Sequence, residues 1–447
     1  MKQSGNVNGN DRFYFAGEVK FSSCEEGWLV ISVHSGNWIV IRTELQKRIL
    51  EKFIEGHTVG EIIPLITNAD EMNQLKALLG AIFARQFAST TEVPEIHYLE
   101  GYKMLNCYLT NACNLRCEHC FMHAGRKLQG ELTTNEWKKV LKEFHDEGGE
   151  CVTFSGGEPL MRTDFDEIVK YSAQLGLSVT ILSNGILWTK DKIELLAPYI
   201  KEIQISLDGV DEQSNAMVRG NGYFNKTLDS VILFANQGVR TSVATTFTFQ
   251  NLQENTKELY RQMVNRIKER CNNPVFFKLS KKILRGRQTD YTEIENKEYF
   301  NRIVEIENNL DPHAKYNNFM EGHTENLVEK NCGFGGISVG ADGEVYFCNR
   351  ISEVDSYGNV KDMPLKKFMN MGRELHQKTS VDMLTPCKDC HLRYICSGGC
   401  RIDDCNFQGR LIGHEGELKQ INCSLENRQR IERKMIDSFN FYYKFDI

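Results

Sequence analysis

The chain has 447 residues, enough for two or three domains with sizeable cores. Hydrophobic residues make up 41% and charged residues 26%, the balance of a soluble globular protein, and a net charge of −6 argues against nucleic acid as the main partner. No apolar run reaches membrane-spanning length, and the polar start, residues 1–10, has no apolar signal core. The expectation is a cytoplasmic protein whose fifteen cysteines are metal ligands and reduced thiols rather than disulfides. No internal repeat is present, and no low-complexity tract beyond the polar start. In chain order, 12–21 alternates as a strand does, and 28–33 and 38–42 flank the turn-rich His34-Ser35-Gly36-Asn37 as in a hairpin. Thr43 caps a helix with Gln46 at the capping-box position; Leu45, Ile49, Leu50 and Phe53 keep helical spacing until Gly56. Thr58 opens a short second helix to Leu65. Asp70 caps a third, with Leu75, Leu78, Leu79 and Ile82 on one face.

Three strands followed by three helices resembles the PqqD-like peptide-recognition element of ribosomal-peptide maturation systems. That resemblance implies a leader peptide bound by strand addition beside a helix, which an exposed sheet edge makes physically possible. The alternative is a winged helix that packs on its neighbour or binds DNA. Residues 90–99, with Pro94, read as a linker.

Next comes a strand-like segment, 104–109, and then Cys113, Cys117 and Cys120 in C-x3-C-x2-C spacing. Three thiolates so spaced can hold three corners of a [4Fe–4S] cubane, leaving one iron open to a chelating small molecule. The spacing differs from the C-x2-C pairs of tetrahedral zinc sites. A cysteine stripe on one helix face is the structural alternative, but Asn111, Asn114, Arg116, Glu118 and His119 make the surroundings polar. The run resembles the signature of the radical S-adenosylmethionine (SAM) superfamily, with His119 where the family often has an aromatic. The resemblance implies SAM bound through its amine and carboxylate at the open iron and cleaved to a 5′-deoxyadenosyl radical.

Further strand-like segments follow at 151–154, 178–182, 202–207, 241–247 and 275–279. Helix-like ones lie near 134–147, 164–175, 190–198, 223–237 and 252–270. Six β/α units imply a parallel sheet, matching the family's partial barrel, with the active site on the loops after the strands. Those loops hold Ser155-Gly156-Gly157-Glu158-Pro159, Ser183-Asn184-Gly185 and Ser206-Leu207-Asp208-Gly209. By resemblance the first contacts the SAM amino group, with Glu158 as an acceptor. Ser183, Asn184, Ser206 and Asp208 suit the ribose hydroxyls or the methionine part, and Arg219 suits the methionine carboxylate. Read alone, these are strand-end turns and a surface arginine. Cys107 and Cys151 lie inside strands and read as core. Cys24 and Cys271 have no partner spacing.

Cys332, Gly343 and Cys348 follow as C-x10-G-x4-C, with Ala341-Asp342-Gly343 turning between strands at 337–339 and 345–347. Cys387, Cys390, Cys396 and Cys400 form C-x2-C-x5-C-x3-C, and Cys423 comes later. The last run alone also suits a structural zinc module. Together the seven resemble the SPASM extension of radical SAM enzymes. The resemblance implies a distal auxiliary [4Fe–4S] cluster on Cys387, Cys390, Cys396 and Cys423, and a proximal one on Cys332, Cys348 and Cys400. Some members have another cysteine shortly before the position of Cys332; here 326–331 holds none. The fourth proximal position is left to an open iron, to substrate, or to Cys405, which is not favoured. Residues 424–439 read as a charged closing helix.

The fold expected is α/β: a partial (β/α)6 barrel over 101–325, a winged-helix-like α+β domain over 1–90, a linker at 91–100, and an iron–sulfur domain over 326–447. Resemblance implies an enzyme that matures a ribosomally made peptide with three [4Fe–4S] clusters and SAM, most simply by closing a thioether. It would receive its electron from a donor such as flavodoxin or ferredoxin. C–C crosslinking, formylglycine formation and a non-catalytic metal-bound scaffold are the alternatives. No nucleic acid and no membrane partner is expected.

Overall fold

The computed structural model describes residues 7–98 and 103–443. The first six residues of the polar start, the last two linker positions and the first two of the barrel stretch lie outside them. The strand expected over 12–21 is two strands, β1 (Tyr14–Phe15) and β2 (Val19–Cys24), because Gly17 turns the chain at φ +79°. β2, β3 (Gly27–Ser32) and β4 (Asn37–Ile41) form an antiparallel sheet. Thr43 caps α1 (Glu44–Ile54), but the Gln46 side chain accepts from Arg42 N–H, one residue before the cap. Thr58 and Glu61 form a reciprocal capping box on α2 (Val59–Ile62). α3 (Ala69–Ala84) is capped by Asn68 rather than Asp70: Asn68 is the extended residue, and its side chain accepts from Glu71 N–H. β5 (Ala88–Ser89) returns to pair with β1. The stretch expected as linker is partly ordered: β6 (His97–Tyr98) pairs in parallel with a strand much later in the chain.

Six parallel strands follow, in sheet order as in sequence: β7 (Met104–Thr110), β8 (Cys151–Gly156), β9 (Ser178–Ser183), β10 (Glu202–Ser206), β11 (Arg240–Thr245) and β12 (Val275–Leu279). The crossovers carry α4 (Thr134–Asp146), α5 (Phe165–Gln174), α6 (Lys190–Leu196), α7 (Glu212–Arg219), α8 (Phe224–Asn236) and α9 (Thr256–Arg270), and α10 (Glu293–Leu310) follows β12. α7 was not visible in the apolar pattern; it is short and ends at Arg219. The barrel core is continuous, from Leu105 and Phe154 through Ile181 and Ile205 to Val243 and Tyr260.

α11 (Ala314–Glu321) leads to β13 (Leu327–Val328), the partner of β6. β14 (Ile337–Val339) then joins the barrel sheet parallel to β7, and β15 (Val345–Tyr346) turns back on it. α12 (Leu365–Lys378), α13 (Arg393–Cys396) and α14 (Leu425–Tyr442) complete the chain. Two compact units result: residues 7–98, His313–Cys332 and 377–443 form one, residues 103–312 and Gly333–His376 the other. The units cut across the four sequence stretches for a packing reason. The β14–β15 hairpin extends the barrel sheet, and Met435, Ile436 and Phe439 of α14 share one core with Leu29, Trp38, Leu50, Phe53 and Leu78.

Candidate active site

The loop after β7 carries Cys113, Cys117 and Cys120, and all three line a cavity of about 370 Å³ at the C-terminal ends of the parallel strands. That volume is in the range of small-molecule sites. The loop is held in place by its neighbours. Gly157 N–H donates to Thr110 O and Glu158 N–H to Ala112 O, both at 2.8 Å. A Cβ on Gly157 would strike the Ala112 carbonyl, so the paired glycines let two loops of the protein meet while still lining the cavity. Arg287, beyond β12, donates to Cys117 O at 3.0 Å and to Ala124 O. A Cβ on Gly286 would stand 2.6 Å from the His119 carbonyl carbon, so this close approach also requires glycine. Gln288 N–H donates to Glu118 O at 2.8 Å.

Ser155, Gly156, Gly157, Ser183, Asn184, Ser206, Asp208, Arg219 and His119 all line the same cavity. Glu158 does not; it lies fully buried behind the wall. Its carboxylate accepts from Ser183 Oγ at 2.9 Å, Asn184 N–H at 2.8 Å and Leu160 N–H at 3.3 Å. The role expected for it as an acceptor from SAM gives way to one in positioning the Ser183–Gly185 turn. Burial pushes its pKa up to about 7 against the pull of these donors.

Arg219 Nε meets Asp208 Oδ2 at 2.5 Å, and His119 Nε2 stands 3.2 Å from the same oxygen. Burial raises the Asp208 pKa, but Arg219, His119 and the Thr246 N–H at 2.7 Å outweigh it and hold the carboxyl down at about 2. Arg219 is therefore anchored by Asp208 at the cavity wall, and its charge also lowers the pKa of Cys117, which burial raises. Asn184 Nδ2 donates to Asn114 Oδ1 at 2.8 Å, tying the third loop to the first. Sequence pattern missed Thr246, Ser280, Gly286 and Arg287. Thr246 and Ser280 sit just past the ends of β11 and β12, where a barrel places site residues, but Arg287 belongs to no motif.

The donor set fits a cluster with a bound small molecule. Three thiols line one cavity, and the buried His119 Nδ1 has no hydrogen-bond partner among the described residues. Among those residues no three His, Cys, Asp or Glu side chains converge on a single-ion point; a cubane spreads its ligands over separate irons.

In the other unit, Cys387, Cys390, Cys396 and Cys423 line one small apolar cavity with Arg428 and Asn427. Burial pushes the Cys387 thiol up to about 12, with the charges of Cys396, Cys423 and Cys390 adding to it. Cys332 and Cys400 are hydrogen-bonded neighbours in this same unit, whereas Cys348 belongs to the barrel unit. Cys405 is fully buried, bridges backbone to Gln420, and lies outside the distal cavity. Cys107 is core as expected; Cys151 is half-buried at the start of β8.

Residues 107–263 match the model of the radical SAM superfamily. Over that stretch the chain is similar to radical SAM enzymes, a class that uses a [4Fe–4S] cluster and SAM. Among its relatives is an AdoMet-dependent heme synthase of Nitratidesulfovibrio vulgaris, 25% identical over 70% of this chain and 91% of that one. Another is the antilisterial bacteriocin subtilosin biosynthesis protein AlbA of Bacillus subtilis, 26% identical over 72% of this chain and 69% of that one. Of solved structures, Streptococcus suis SuiB bound to precursor peptide SuiA superposes with a TM-score of 0.50 at 16% identity, covering 87% of this chain and 95% of that one; the likeness is one of fold. No helix among the described residues is long and apolar enough to cross a membrane.

Proposed function

We propose that this enzyme matures a ribosomally synthesised peptide, closing an intramolecular thioether after hydrogen abstraction. The observation that carries the chemistry is the convergence of the cysteine loop with the loops after β8, β9 and β10 on one cavity. Cys113, Cys117 and Cys120 would hold the cluster, and when bound there the cluster and SAM supply a 5′-deoxyadenosyl radical. The chain's residues do the rest. Gly156 and Gly157 bring backbone to the ligand, Glu158 fixes the Ser183–Asn184 turn, and Asp208 orients Arg219 and His119 at the wall. Closing the ring removes two hydrogens from the peptide, one from carbon and one from sulfur. The auxiliary clusters proposed on the distal and proximal cysteines would accept the electron released.

Peptide recognition is proposed at β2. Val33 N–H donates to Glu18 O, so Val19, Phe21 and Ser23 point their backbone groups away from β3. β4, the other edge, is buried throughout; Arg85 Nε reaches Trp38 O, and Asn37 meets Asn326 Oδ1 at 2.8 Å. Strand addition therefore fits β2. The relative AlbA, by its name, serves bacteriocin biosynthesis, in line with a peptide substrate. Co-expression with a cysteine-bearing precursor peptide, followed by mass spectrometry, tests the reading. Loss of two hydrogens with alkylation-resistant sulfur supports it; an unchanged peptide opposes it.

A further inference from the structure

Arg428 stands in the wall of the four-cysteine cavity, in the first turn of α14. Its Nε lies 3.4 Å from Cys423 Sγ, within hydrogen-bond reach of sulfur. The helix start is built to keep it there. Ser424 caps α14 by accepting from Asn427 N–H at 3.1 Å, and Asn427 Nδ2 donates to Asn422 O at 2.9 Å, fastening the segment that carries Cys423. Further along, Trp38 Nε1 donates to Met435 O at 3.1 Å and Arg42 to Asn440 Oδ1 at 2.8 Å, so the helix is anchored at its other end too. Cys423 thus meets a guanidinium and the positive end of an 18-residue helix together.

Nothing in the seven-cysteine pattern calls for an arginine five residues after its last member. A structural thiol would need none. A redox cluster is different: adding an electron adds negative charge, which a hydrogen bond and a cation on a ligand sulfur stabilise. We propose that Arg428 is a positioning and tuning residue of the distal cluster, raising its reduction potential through Cys423 so that it accepts an electron readily. This rests on the distal cluster read above.

The test uses full-length protein, anaerobically reconstituted, in a Cys117→Ala background that removes the barrel cluster. The signal lost from a Cys387→Ala, Cys396→Ala double variant identifies the distal cluster. Redox titration followed by EPR then compares the parent with Arg428→Met, Arg428→Lys and, as a control further along α14 that pairs with Glu26 and Asp437, Arg433→Met. Arg428→Met should keep its iron and sulfide but show a tenfold lower ratio of reduced to oxidised distal cluster at a fixed potential, a shift of about 59 mV to more negative values. Arg428→Lys should fall between, and Arg433→Met should match the parent. An unchanged midpoint in Arg428→Met with full iron content would overturn the role of Arg428 alone. Full iron retention in the Cys387→Ala, Cys396→Ala variant would remove the distal cluster itself, and this inference with it.

Discussion

The two cysteine-rich regions are held by different means. The barrel loop of Cys113, Cys117 and Cys120 is clamped by backbone and side chains from the loops after β8, β9 and β12, all set on a continuous apolar core. Between α12 and α14, where Cys387, Cys390, Cys396 and Cys400 lie, regular structure amounts to one 3-10 turn and the four residues of α13. The first region is preorganised by the fold. The second has little regular structure of its own, so a metal held by its thiols would supply folding free energy there.

Removing one barrel thiol should have the largest effect. Cys117→Ala should make no 5′-deoxyadenosine with SAM and dithionite and should lose about one cubane of iron, while its circular dichroism stays that of the parent. Next, replacing Cys387 and Cys396 by Ala should open residues 379–424 to limited proteolysis and leave the barrel resistant. Equal protection in both regions would break the contrast. Third, Gly286→Ala should push the loop after β12 off His119 and slow 5′-deoxyadenosine formation by about 10–100-fold, since small displacements of positioned groups cost that much.

A smaller effect concerns Glu158. Its raised pKa favours folding below the ordinary value of 4.5, and that contribution is lost as pH rises through about 7. In Glu158→Gln the slope of stability between those pH values should flatten. The amide would also set a donor against the Asn184 N–H, costing about 1–3 kcal/mol in chemical denaturation. Smallest is Ser23→Pro, which removes one outward N–H from β2 and should weaken leader binding by about fivefold, roughly 1 kcal/mol. Unchanged affinity would move recognition elsewhere.

Much of the barrel was legible because its strands are apolar runs at regular intervals, and Cys113, Gly157, Asn184 and Asp208 fall at strand ends where a barrel builds its site. Less visible was what sequence cannot encode locally. Asp208 holds Arg219 eleven residues on, Glu158 turns its back on the cavity to bind Asn184, and Arg287 clamps a loop 170 residues earlier. The 1–90 stretch showed its three helices, though not the Asn68 cap of the third, and its core is completed by α14, a partner that no local pattern announces.

The most direct test of a peptide-modifying radical SAM enzyme is to count products together. Reconstituted enzyme, SAM, reductant and a leader-bearing cysteine peptide should give 5′-deoxyadenosine in proportion to peptide that has lost two hydrogens. The deuterium of a labelled acceptor carbon should appear in the 5′-deoxyadenosine. 5′-Deoxyadenosine that forms without deuterium, beside an unmodified peptide, would contradict that function.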